Sequence, residues 1–481
     1  MESFGSYVNA FNNLVWSDAL VYLCLITGVY FTVRMKFPQI RLIKDMVRLL
    51  IGKGSQSGIS SFQAFATTVG SRVGMGNIAG VSTAIYFGGP GAIFWMWLIS
   101  ILGAASAFAE SSLAQAYKVK VNNQYAGGAA YFSEQGLHLK PLSILFAIAT
   151  ILGPGILMPG VQVQSIALSF DMAFQVNDIV VGVLCTVLVA MVICGGIKRI
   201  SVVAELLAPV MCVAYILITL YIFAVNIDKV PGVFALIFRS AFGMEQAFAG
   251  IVGAAISWGV KRGVYSNEAG QGSGAIVAAA AECDHPAEQG LVQAFSVFVD
   301  TLVICTASAL IIILTNSYNV VDLQEKAIVE HIPGVAYGIL WAQTALVRAV
   351  GSWSGQFLAV IIVLFVFTSL MGYYYQAESN VTYLSSGNPK AIWAFRVAFL
   401  ISCFAGVLIE NKVVWSMGDT GCGLMAWFNI IAILLLSSKA CAILKDYEEQ
   451  KRSGVKPLFD PKKFNVPDVS SVWADVARKR S

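Results

Sequence analysis

Apolar residues run along this chain in blocks of roughly 20, apolar on every side and separated by short polar stretches. Blocks of that length match a hydrocarbon layer about 30 Å thick crossed by one helix. Spans are expected at about 16–34, 62–87, 91–117, 142–170, 177–196, 203–226, 247–281, 291–315, 351–376, 390–409 and 420–441. Pro154 and Pro159 should kink the fourth. Segment Gly334 to Val350 is apolar but short, and reads as a helix lying on the outer surface. From Lys445 onward, Pro457, Pro461 and Pro467 mark a soluble extension. The expected fold is an all-α polytopic membrane protein of about 11 transmembrane helices.

Two spans carry glycines where a lipid-facing helix would prefer leucine. Span 2 contains Val69-Gly70-Ser71-Arg72-Val73-Gly74-Met75-Gly76-Asn77, and span 7 contains Gly263 and then Asn267-Glu268-Ala269-Gly270-Gln271-Gly272-Ser273-Gly274. The two lie five spans apart, so spans 2–6 and 7–11 are expected to be two halves of one repeat. The resulting units are an extra helix and basic loop (1–61), a first five-helix repeat (62–226), an external loop (227–246), a second repeat (247–444) and a tail (445–481). Unwound peptide in hydrocarbon costs several kcal/mol per unsatisfied group, so it persists only around a cavity or ligand. Freed N–H groups at a half-helix start suit a carboxylate, and freed carbonyls suit sodium. Either glycine cluster alone fits close helix packing equally well. Their repeated placement points to a secondary transporter with a midplane site.

Composition sharpens this picture. Hydrophobic residues make up 57% of the 481 residues and charged ones 12%, against about 25% charged in a soluble domain. The net charge of +4 carries no signature of nucleic-acid binding. The nine cysteines show no CxxC spacing, and the three histidines lie far apart, so neither zinc nor disulfides are indicated. Basic residues gather after span 1 (Arg34, Lys36, Arg41, Lys44, Arg48, Lys53), in the next loops on that side (Lys118, Lys120, Lys140, Lys198, Arg199) and in the tail. The opposite side has Lys229, Arg239, Lys326, Arg348 and Lys412. Positive charge stays inside, which places the N-terminus outside and the tail in the cytoplasm of a cell-membrane protein.

Charge within spans is costly and marks function. The candidates are Arg72, Glu110, Lys261, Arg262, Glu268 and Asp300. Arg72 and Glu268 flank the two breaks and could pair as a gate or clamp, unless each only caps a neighbouring helix end. Glu110 reads as a buried hydrogen-bond anchor. In span 9, Thr368 and Ser369 offer adjacent hydroxyls, hard ligands for sodium, although such pairs commonly back-bond to the preceding turn.

The run Gly70 to Val81, followed by Gly88-Gly89-Pro90-Gly91-Ala92-Ile93-Phe94-Trp95-Met96-Trp97, resembles the alanine or glycine:cation symporter family. So does Gly259 to Ser273, and the match runs from about residue 16 to 445. The resemblance implies a LeuT-type fold, five plus five inverted repeats, preceded here by one extra helix. It also implies a residue-by-residue site. Backbone at Gly74, Met75 and Gly76 would receive the substrate carboxylate, and Asn77 would hold the unwound segment or touch the ligand. Gln162, Tyr265, Ser369 and Tyr373 would line the pocket. A cotransported sodium ion would take the carbonyls of Gly70, Val73 and Phe365 and the hydroxyls of Thr368 and Ser369.

Four positions depart from the family pattern. Pro159 stands where asparagine is frequent, Tyr373 where tryptophan is common, Gln271 where an apolar residue is usual and Arg72 where a small polar residue is usual. A smaller ring at 373 would widen the pocket and bring glutamine within range. The resulting expectation is a sodium-coupled symporter importing small neutral amino acids, alanine and glycine, by alternating access. The alternatives are a glutamine symporter of the same family and, behind it, a proton-coupled carrier. A channel would need filter loops instead of two separated breaks. An enzyme would need a catalytic motif, and no HExxH, GxSxG or Walker sequence is present.

Overall fold

The computed structural model describes residues 2–51, 58–121, 124–469 and 471–474. Lys53 and the end of the tail therefore lie outside the described residues. Among the described residues, eight helical runs are long and apolar enough to cross a membrane: Phe4–Arg34, Ala92–Ala116, Lys140–Phe174, Gly196–Val225, Pro286–Leu314, Trp353–Ser385, Pro389–Leu408 and Asn411–Leu435. Three further helical units stand at the expected spans 2, 5 and 7. They are Ser61–Arg72 with Met75–Gly88, then Asp178–Ile193, and Val252–Asn267 with Ser273–Ala279. The first and third are shortened by breaks, and the second has 16 residues. Val183, Leu184, Leu206, Val213 and Leu217 project outward from Asp178–Ile193 and Gly196–Val225. Such a surface needs hydrocarbon around it.

The breaks are local consequences of sequence. Helix Ser61–Arg72 starts on a reciprocal cap, Ser60 Oγ accepting from Gln63 N and Gln63 Oε1 from Ser60 N. It ends at Val73, whose ψ of 87° leaves the helix, and a new helix begins at Met75. In the second break Glu268 takes a φ of 55°, and Gly270 and Gly272 take 86° and 83°. Only glycine adopts that region freely, so these two glycines allow the turn to fold tightly. The expected kink in span 4 is a π-helical turn at Gly153–Leu157, which contains Pro154. Glycines also set close helix contacts. A Cβ on Gly421 would strike the backbone of Gly153, and one on Gly406 the backbone of Gly160.

Several expected boundaries move. Span 11 starts at Asn411 instead of 420, because its first turns carry polar residues that hide the apolar pattern. Residues 227–246, expected as a loop, contain helix Val230–Ala241, and the segment before span 1 is helix Glu2–Val15. The segment expected as a surface helix forms one at Ile339–Val350, packed on Trp353–Ser385 and Met75–Gly88. The described part of the tail is folded against the bundle. Helix Ser437–Arg452 pairs with the basic loop through Arg41–Glu448 (2.9 Å) and Lys451–Asp45. Beyond it Phe459, Val466 and Trp473 are buried, and Trp473 Nε1 donates to Ala116 O at 3.1 Å. Basic loop and tail thus share one face of the bundle.

Candidate functional site

The first break exposes the start of helix Met75–Gly88, whose leading N–H groups have no partner in the preceding turn. Asn77 Oδ1 takes the Gly74 N–H at 3.0 Å, and Gln162 Oε1 takes the Met75 N–H at 3.3 Å. The second bond is long, so an anionic acceptor would compete for that donor. Gln162 Nε2 donates to Tyr373 OH at 3.3 Å. A Cβ on Gly74 would overlap Ser369 Oγ and lie 3.1 Å from Gln162 Oε1, and one on Gly76 would lie 3.2 Å from Tyr265 Cδ1. Gly74, Met75, Gly76, Asn77, Gln162, Tyr265, Ser369 and Tyr373 therefore converge on one buried place. It is a cradle whose close approach depends on Gly74 and Gly76 lacking side chains.

Beside it lies a cluster of neutral oxygens. Ser369 Oγ donates to Phe365 O at 3.0 Å and, across to the broken helix, to Gly70 O at 3.2 Å. Thr368 Oγ1 lies 2.9 Å from Phe365 O and 3.1 Å from Leu364 O. Both hydroxyls do back-bond to their own helix. Ser369 also links span 9 to the broken helix, as Thr368 Oγ1 links it to Met211 Sδ at 3.5 Å, and these crossings distinguish the cluster from ordinary helix back-bonding. Val73 ends the first half-helix, adjacent to Gly74. Carbonyls and hydroxyls of this kind are hard ligands suited to a small cation.

Arg72 and Glu268 are both buried at the breaks, but no ion pair joins them. Arg72 Nη1 donates to Ser296 Oγ at 2.5 Å and Gln293 O at 3.2 Å. Glu268 instead accepts from Ser273 (2.7 Å), Ser71 (3.3 Å) and Gln376 (3.4 Å). The direct pair fails because Arg72 turns toward helix Pro286–Val297 while Glu268 closes its own break. Glu268 nevertheless joins both breaks and span 9 through neutral donors, a clamp made without Arg72.

The other side of the cradle carries an ion cluster of which the sequence offered the two cations, Lys261 and Arg262, but not the anion. Lys261 Nζ lies 2.9 Å from Asp419 Oδ2, and Arg262 pairs with the same oxygen. The Arg262 guanidinium lies 5.1 Å from the Trp415 ring centre, 5.2 Å from Tyr265 and 5.4 Å from Trp258. Asp419 escaped notice because span 11 was expected to begin one residue after it. The adjacent buried cations Lys261 and Arg262 were the signal that a counter-charge must exist. Asp300 Oδ1 accepts from Asn77 Nδ2 at 2.6 Å and its Oδ2 from Ser266 and Thr301 at 2.8 Å each, tying both broken helices together. Glu110 anchors the second break, accepting from Gly272 N at 3.1 Å and Asn429 Nδ2 at 2.7 Å. Gln271 donates to Val264 O at 2.5 Å and is a structural staple of that turn.

The family model described as "Sodium:alanine symporter family" matches residues 1–461. A Bacillus sp. (strain PS3) protein named "Sodium/proton-dependent alanine carrier protein" is 44% identical over 430 residues, covering 88% of this chain and 95% of that one. A Bacillus subtilis protein named "Probable sodium/glutamine symporter GlnT" is also 44% identical, over 451 residues, covering 93% of this chain and 91% of that one. Among solved structures, MhsT in complex with L-phenylalanine, a LeuT-fold transporter, superposes with a TM-score of 0.57 at 12% identity. It covers 81% of this chain and 99% of MhsT, and it supports the fold alone.

Proposed function

Since the chain belongs to the sodium:alanine symporter family, we infer that it is a sodium-coupled symporter importing small neutral amino acids by alternating access. It is a secondary transporter and not an enzyme. The observation that carries the site assignment is the Ser369 hydroxyl. It reaches the Gly70 carbonyl on the broken helix and abuts Gly74, where the substrate carboxylate would sit. Sodium held by Gly70, Val73, Phe365, Thr368 and Ser369 would lock the broken helix to span 9. Gly74, Met75 and Gly76 would then be set for the carboxylate, with Gln162 giving up the Met75 N–H. Closure on one side would run through Lys261, Arg262 and Asp419, and on the other through Glu268 with Ser71, Ser273 and Gln376. The basic loop and tail would face the cytoplasm, and the membrane potential would add about 2.3 kcal/mol per charge per 100 mV.

Alanine is the first substrate to test, with glycine within the same small pocket. Glutamine is a second reading, favoured by Tyr373 in place of a larger ring and by the similarity to GlnT. The deciding experiment is radiolabelled alanine uptake into proteoliposomes with and without an inward sodium gradient. We expect sodium-dependent uptake that Thr368→Ala with Ser369→Ala abolishes. Uptake that ignores sodium, or survives that double substitution with its sodium dependence intact, overturns the site.

A further inference from the structure

Three side chains beside the cradle leave polar atoms without partners: Tyr265 OH, Arg262 Nε and Nη1, and Asp419 Oδ1. Tyr265 is 2% exposed, Arg262 1% and Asp419 3%. They lie together. The Arg262 guanidinium is 5.2 Å from the Tyr265 ring centre, and Tyr265 OH packs 3.1 Å from the Cβ position of Gly418, the neighbour of Asp419. Their height over the carboxylate site is also defined. Tyr265 packs on Gly76, whereas Arg262 Cδ lies 3.7 Å from the Cβ position of Gly80, four residues on. That is about one helical turn, or 5.4 Å, beyond the amides expected to hold the carboxylate.

Buried polar groups are almost always paired, and each unpaired one costs about 1–3 kcal/mol, more if charged. One turn above the cradle, unpaired donors and an unpaired acceptor lie together, so a ligand side chain that both accepts and donates would pair them. The set contains donors, on Tyr265 and Arg262, and one acceptor, on Asp419. A carboxamide answers both kinds, its carbonyl accepting from Arg262 or Tyr265 and its NH2 donating to Asp419. An apolar side chain answers neither, and a carboxylate would face the like charge of Asp419. A glutamine side chain has the reach.

We propose that Tyr265, Arg262 and Asp419 form a side-chain subsite selecting amino acids with a terminal carboxamide over apolar ones of equal size. This rests on the symport reading and extends it from the backbone of the substrate to its side chain. Because Arg262 and Asp419 also carry the ion cluster on this side of the cradle, seating the carboxamide and closing that side become one event.

The test is competition against sodium-driven alanine uptake in proteoliposomes by two near-isosteric pairs, glutamine with methionine and asparagine with leucine. We expect the carboxamide member of at least one pair to compete at about tenfold lower concentration or less, the scale of one buried hydrogen bond. Tyr265→Phe should shrink that ratio to under about threefold. If the variant does not transport, glutamine and methionine are compared by the thermal shift each gives the purified protein in sodium. Equal competition within both pairs, or a ratio unmoved by Tyr265→Phe, overturns the proposal and means that water fills the subsite. Failure of alanine uptake itself, with no thermal shift from any of the four, sinks the symport reading and the subsite with it.

Discussion

Replacing Gly74 by alanine adds one carbon at the place where the two halves of the site meet. That carbon would overlap Ser369 Oγ, lie 3.3 Å from Ser369 Cβ and lie 3.1 Å from Gln162 Oε1. Carbon contacts are comfortable only from about 3.5 Å, so the Ser369 hydroxyl must swing away. It then gives up its bonds to Gly70 O and Phe365 O, 3.2 and 3.0 Å long. Overpacking of this size costs about 1–3 kcal/mol, and each lost hydrogen bond about 1. The fold should survive with a reduced melting temperature. The sodium site would lose an oxygen ligand and its link between helices, which we set at about 1.4–2.8 kcal/mol, or ten- to hundredfold in sodium half-saturation. The assay is alanine uptake against sodium concentration in proteoliposomes, with a thermal melt to verify folding. Gly80→Ala is the control. Its Cβ would meet nothing nearer than 3.7 Å, and it should gain about 0.5–1 kcal/mol of helix stability. A folded Gly74→Ala protein with the unaltered sodium half-saturation would refute the assignment of Ser369 and Gly70 to the cation.

Asp419→Asn leaves Lys261 and Arg262, 7% and 1% exposed, as neighbouring buried cations without a counter-charge. Removing one partner of a buried pair costs about 3–5 kcal/mol, so the detergent-solubilised variant should melt about 3–5 °C lower; an unchanged melt would show that the cluster is solvated. The tail should loosen in acid. Burial pushes the His285 imidazole below its usual range, against the pull of Asp446 at 3.2 Å, so the folded chain keeps it neutral. A depressed histidine contributes full stability above its unfolded value near about 6.5 and loses it as pH falls below that. Asp446 itself is held down to about 2, burial being outweighed by His285, Lys463 and Gln450, so its own contribution persists well below that window. Melting temperature should therefore fall between pH 7.5 and 5.5, and His285→Asn, which keeps a capping side chain, should flatten the slope. Parallel curves for the two proteins would exclude His285 as the cause.

How far the sequence can be read is decided residue by residue. The two breaks were legible because an apolar span rarely tolerates clustered glycines and unpaired backbone away from a cavity or ligand. Thr368 with Ser369 stood out because their hydroxyls are adjacent and hard enough to suit sodium. The mutual approach of Gly70, Gly74, Phe365 and Ser369 was expected only through family resemblance. Spacing cannot bring residue 70 beside residue 369, whereas packing can. Arg72 and Glu268 misled, since position beside a break says nothing about where a long side chain turns. Arg72 found Ser296 and the Gln293 carbonyl, and Glu268 found three neutral donors.

Asp419 is the more instructive omission. Its surroundings from Asn411 to Ser416 are polar enough to push the expected span past it, yet helix Asn411–Leu435 buries it at 3% exposure. Hydropathy averages over a window, and a single ionised residue that is offset by two cations elsewhere in the chain is invisible to that average. The reasoning that would have found it is electrostatic. Lys261 and Arg262 sit side by side in a span, and two adjacent cations at membrane depth demand an anion within reach. Glu110, Glu268 and Asp300, the carboxylates singled out within the expected spans, bond to the breaks instead, and Asp419 is where the chain supplies the anion. In the proposed cycle, this carboxylate held by two cations, with unpaired atoms left on Arg262 and Asp419, would release and re-form as the substrate beneath it comes and goes.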